Sequence, residues 1–119
     1  MNQIKLPILW FLLFAGWGMI AQAADTSRPA TPDEIQSITA TLKDALDSVT
    51  VSGIRISANG KVACGFVSGN FVDGKDNVFY ARSLGNKGGK PDYILMGREQ
   101  GRNTAVTAEC QKAGINVYQ

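Results

Sequence analysis

Cys64 and Cys110 are the two cysteines of a 119-residue chain that has no histidine. Those two facts bound its chemistry. Without histidine, Ser-His-Asp and Cys-His nucleophile systems are excluded, and so are most zinc sites. The cysteines stand too far apart for a Cys-x-x-Cys redox motif. In an exported chain an even cysteine count reads as a disulfide, and with two cysteines only one internal pairing exists. Two free thiols, a shared metal or a dimer through one cysteine are the alternatives. An internal bond closing 46 positions of chain would gain about 4 kcal/mol on the chain-entropy account.

Carboxylate pairs could do acid–base work without histidine. Asp44 and Asp47 lie one helical turn apart, on a face that the hydropathy pattern assigns to solvent. Asp92 and Glu99 flank a strand. Neither pair converges by spacing alone, and no spacing supports a Ser-Lys dyad. Asp73-Gly74-Lys75-Asp76-Asn77 lacks the ligand spacing of an EF-hand and reads as a turn. Gly85-Asn86-Lys87-Gly88-Gly89-Lys90 has the composition of a phosphate loop, but Leu84 and Pro91 occupy positions where that motif needs a glycine and a Ser or Thr. The sequence points to no catalytic set, no metal and no cofactor.

Binding is the chemistry that remains. Tyr and Arg are favoured at protein-binding hot spots. Tyr80 and Arg82 fall on one face of a predicted strand, with Phe79 and Ala81 on the other. Lys87, Lys90, Tyr93 and Arg98 follow nearby. These six are the candidate partner-binding residues. Formal charge is +2, and it falls to +1 when Lys5 is lost. The basic residues are interleaved with Asp76, Asp92 and Glu99, which does not make the basic face of a nucleic-acid binder.

The elements that must position these residues begin after an export signal. Met1 to Lys5 is a short positive region. Leu6 to Ile20 carries no charge, and Ala21-Gln22-Ala23 is an A-x-A cleavage signal. The run is shorter than a bilayer span requires. Residues 1–23 are therefore expected to be removed, leaving 96 residues (119 less 23), one domain. The expected location is the bacterial periplasm or the outside of the cell, with no transmembrane span after cleavage. Residues 24–31 read as a flexible tether, and 32–119 as the folded domain.

Thr31-Pro32-Asp33-Glu34 is a helix start with a capping box. Ile35, Ile38, Leu42, Ala45 and Leu46 then give one apolar face to about Asp47. Val49 to Ser57 alternates as a strand, with a bulge or bend at Gly53. Ala58-Asn59-Gly60-Lys61 predicts a type I′ hairpin. Lys61 to Val67 returns, with Val62, Cys64 and Phe66 on one face. Residues 68–77 and 85–91 read as loops, with Val78 to Leu84 and Asp92 to Met96 as strands. Asn103 or Thr104 caps a short last helix that ends near Ala113, with Gly114 as its stop. The expected fold is α+β: helix, four-stranded antiparallel sheet, short C-terminal helix and one disulfide, with both helices packed on one face.

The run from Leu42-Lys43-Asp44 through Val62-Ala63-Cys64-Gly65-Phe66-Val67 resembles, over about residues 40–85, a group of small exported bacterial proteins with a Cys-Gly-x-Val-Asn core motif. Ser68 stands where the group has its asparagine, and the Gly-Gly-Tyr that follows in the group has no counterpart. The resemblance implies export and an α+β fold, and it brings no function with it. The reading that emerges is a non-catalytic interaction protein with a protein partner, working through a disulfide-pinned sheet surface and its loops. A small hydrolase using carboxylate or Ser/Lys chemistry, and an envelope structural or small-ligand-binding protein, are the alternatives. Convergent carboxylates would favour the first of these. An apolar pocket between the first helix and the sheet would favour a ligand binder.

Overall fold

Thr31 sets the first helix. Its side chain accepts a hydrogen bond from the Glu34 backbone N–H, and the Glu34 carboxylate accepts one from the Thr31 N–H. This closes the predicted capping box. The helix, α1, is Pro32–Leu46, and Asp47 ends it at φ 70°. The computed structural model describes residues 24–69, 77–99 and 105–118. The expected signal segment, the turn residues 70–76 and the capping candidates Asn103 and Thr104 lie outside the described residues.

The sheet has five antiparallel strands in sequence order, not four. They are β1 (Arg28–Pro29), β2 (Val49–Ile56), β3 (Val62–Gly69), β4 (Asn77–Lys87) and β5 (Lys90–Arg98). β1 comes from the segment expected as a tether. Arg28 makes a bidentate ion pair with Glu34 at 2.8 and 2.9 Å. Arg55 donates to the Ser27 carbonyl at 2.9 Å, and Thr26 N–H to the Gly114 carbonyl at 2.9 Å. These bonds hold residues 26–29 against the domain, so the segment is not a free tether.

Gly53 has φ +61° and the β2–β3 register shifts between Ser52 and Arg55, which is the predicted bulge. The next turn differs from the prediction. Gly60 alone has positive φ, and Gly60 N–H donates to the Ser57 carbonyl. That is a four-residue connection built on a type I turn with a left-handed glycine, not a type I′ turn. The Asn59 carboxamide explains it, accepting from Ser57 Oγ and Lys61 N–H. The glycine-rich stretch near residue 88 differs as well. Gly88 and Gly89 both have positive φ and form a two-residue turn between directly paired Lys87 and Lys90. What reads as a flexible connection is thus a tight hairpin, and β4 and β5 are longer than expected.

The two helices lie on opposite faces of the sheet, which corrects the expectation of one shared face. Ile38 and Leu42 of α1 pack on Val49, Ile56, Ala63, Val67, Phe79, Ala81 and Tyr93. The second helix, α2, is Ala105–Lys112. Its Val106 and Cys110, with Ile115, pack on Val62, Cys64 and Val78 of the other face. Alternation along β3 divides the two sets, with Ala63 and Val67 toward α1 and Val62 and Cys64 toward α2. Cys64 and Cys110 form the disulfide, with both residues fully buried and Cα atoms 6.2 Å apart. Ile115 N–H donates to Cys110 O and Gly114 N–H to Gln111 O, with Gly114 at φ +80°. This Schellman arrangement is the stop that Gly114 predicts.

Candidate interaction surface

β4 outruns its neighbour. The last β3–β4 pair is Val62 with Arg82, and Ser83 N–H makes one further bond to Lys61 O. Beyond that point β4 pairs with β5 alone, through Gly85–Asp92, Asn86–Pro91 and Lys87–Lys90. Leu84 to Asp92 is therefore a two-stranded arm projecting past β3. Isolated two-stranded ribbons are marginal in water.

The face of this outer sheet away from α1 is apolar and open. Tyr93 belongs to the α1-side core, with Leu95 packed against it, so alternation turns Ile94 to the other side, and Met96 is the extra residue of a bulge where Tyr80 pairs with Gly97 and Ala81 with Leu95. Ile94 pairs with Arg82, and Leu84 stands two residues beyond Arg82 at a second bulge, where Ser83 pairs with Tyr93 and Gly85 with Asp92. α2 covers β3 and β4 and meets β5 at Gly97, where an added Cβ would lie 3.4 Å from Val106. It leaves Leu84 61%, Ile94 45% and Met96 52% exposed.

Three of the six candidate residues border this patch, and Arg98 pairs with Phe79 of the α1-side core. Arg82 is exposed within it, and Lys87 and Lys90 are exposed at the arm's tip. Arg98 is half-buried at the far end of β5, its guanidinium 3.5 Å from the Glu99 carbonyl. Tyr80 shares the face with Arg82 as expected, but it is half-buried against the α2-side core. Tyr93 is removed from the set: it is 4% exposed, and its hydroxyl donates to Glu34 at 3.3 Å. Burial, with the Glu34 charge beside it, pushes its phenol up to about 12.

Leu84, Ile94 and Met96 were missed by the sequence reading. For Ile94 and Met96 the signal was the unbroken apolar run Tyr93-Ile94-Leu95-Met96. A strand covered on one face should alternate, so such a run needs a second apolar cover.

Other chemistry is not assembled. Asp92 on β5 and Glu99 just past its end stand seven residues apart, about 23 Å at strand rise. Glu99 is buried and accepts from the Thr107 N–H and hydroxyl. Asp44 and Asp47 are both exposed. Among the described residues no group of His, Cys, Asp or Glu could hold a metal, and no helix is long and apolar enough to cross a membrane. A cleft of about 520 Å³ is lined by Asp25, Gly53, Arg55, Phe66, Asn116 and Val117. Its charged groups are engaged by the chain itself, Arg55 with Ser27 and Asp25 with Ser27 and Asn116. A second cavity of about 530 Å³, lined by Lys43, Asp47, Ser48, Val49, Thr50, Ser68 and Gly69, is largely polar. Neither is an apolar pocket between α1 and the sheet. No protein-family model, curated protein or solved structure matches this chain.

Proposed function

We propose that this protein is a non-catalytic, exported interaction protein whose partner docks on the outer β4–β5 surface. The observation that carries the reading is the arm itself: it projects beyond β3, and Leu84, Ile94 and Met96 of its two strands are exposed. Single exposed apolar residues are ordinary. Three close together on two neighbouring strands, beside Tyr80 and Arg82, make a patch of the kind that protein interfaces cover. Full burial of each side chain is worth about 1.5–3 kcal/mol, and much of that remains available to a partner. Export is supported by the n-region, apolar run and A-x-A order of residues 1–23, and by a disulfide of the kind oxidising compartments preserve.

The test compares captures. The full chain, purified as its host leaves it after export, is used as bait in envelope and culture-supernatant extracts beside the Leu84→Ser/Ile94→Ser variant. A stoichiometric protein held by the parent and lost by the variant, at equal melting temperature, is the expected result. Identical captures by both would place the working surface elsewhere.

A further inference from the structure

The charge arrangement of the arm identifies the chemistry of what covers it. Lys87 and Lys90 are directly opposed across the Gly88-Gly89 turn. Like charges at facing strand positions oppose pairing. Neither lysine belongs to the ion pairs seen among the described residues, Arg28–Glu34 and Glu109–Lys112. An added Cβ would meet nothing within 4 Å at Gly85, Gly88 or Gly89, so the tip stands clear of the domain. Arg82 adds a third cation beside Ile94, and Asp92 is the arm's one acid.

A second copy fits poorly. Two β5 edges paired antiparallel about Ile94 would set Lys90 against Arg98 twice over, since both lie four residues from Ile94. An anionic membrane fits poorly too. The charged tip residues lead, and Leu84 and Ile94 lie behind them, so the apolar patch would reach acyl chains only after both lysines and Asp92 had entered the headgroups. A segment lying side-on along the arm meets cations and apolar side chains together.

We infer that the surface of the β4–β5 arm accepts an extended segment of another protein, with acidic side chains seated between Lys87 and Lys90 and apolar ones on Leu84 and Ile94. This rests on the interaction reading above and names the partner's chemistry.

A displayed library of random ten-residue peptides, selected against the full chain, tests it. Enrichment of Asp and Glu alternating with apolar residues is expected. Selected peptides should lose about tenfold in affinity for the Lys87→Glu/Lys90→Glu variant, and more at low salt than at high salt. Selected peptides without acidic bias, no enrichment at all, or undiminished binding to that variant would overturn the inference. So would binding to phosphatidylglycerol vesicles that depends on the two lysines, or a dimer in sedimentation that Lys90→Glu strengthens. The two readings fail separately. Peptides that lack acids yet are lost on Leu84→Ser/Ile94→Ser sink only the partner chemistry, whereas peptides indifferent to that variant sink the surface.

Discussion

Glu34 does more than cap a helix. Its carboxylate is buried, takes two hydrogen bonds from Arg28, one from the Thr31 N–H and one from the Tyr93 hydroxyl. The Arg28 bonds are the main cause holding it down to about 2, with burial opposing them. A carboxyl depressed in the fold stabilises above its unfolded value and loses that contribution as pH falls. Stability should therefore decline between about pH 4.5 and 2 through this group. The contribution is about 1–2 kcal/mol, because Arg28 is 43% exposed and its charge is screened. Chemical denaturation at stepped pH, on parent and Glu34→Gln, checks this: the variant should be weaker at pH 7 and flatter below pH 4.5. Tyr93 has the opposite sign. Its value is raised in the fold, so its stabilisation is full below pH 10 and lost as pH rises toward 12. Tyr93→Phe should remove that alkaline loss.

Gly65 also acts at this scale. A Cβ there would sit 2.8 Å from the Phe79 ring and 2.9 Å from the Ser52 carbonyl oxygen. The Cys-Gly pair in β3 thus joins a residue that must reach α2 to one that must make room for Phe79. Gly65→Ala should cost about 1–3 kcal/mol by overpacking, read as a lower urea midpoint with unchanged slope.

At the scale of elements, the sequence was most informative where the signal is local. Thr31 with Glu34, Gly53 and Gly114 each mark a boundary through their own backbone geometry, and each sits where it was expected. The failures are non-local. β1 is two residues long and is held by Arg28 and Ser27 meeting side chains from α1 and β2, which no local pattern reveals. The side on which α1 lies was misread because Ala63 and Gly65 are small and look like an outer face, although they give α1 and Phe79 their space. α2 has eight residues, too few to hold together alone. It is kept by Val106, Ile115 and the bond from Cys110 to Cys64. Replacing both cysteines by alanine should lower stability by about 3–4 kcal/mol. Hydrogen exchange should then show α2 losing protection first, with β2 to β4 retained. An unchanged melting temperature in reductant sufficient to open the bond would remove the disulfide from this role.

Across the whole molecule, stability and the proposed function lie in different places. The two cores meet through β3 and the first half of β4, where Ala63, Cys64, Val67, Val78 and Phe79 are all at most 1% exposed. The arm extends from the far end of β4 and adds only its own ladder. Of the candidate surface, the cations and Tyr80 were legible as residue types. The arm was not, because its length depends on where β3 stops, and that is set by the 58–61 turn on another strand. Amides of Leu84 to Asp92 should consequently exchange by local opening, well below the free energy of global unfolding, while those of Cys64 and Phe79 exchange only with it. The same separation makes Met96→Ser nearly neutral for folding, within about 0.5 kcal/mol. Slowing of arm exchange when a captured protein or selected acidic peptide is added, with β3 unchanged, would show that what the arm lacks in the free molecule is supplied by its partner. Arm amides already as slow as those of β3 in the free protein would mean that the ribbon needs no cover.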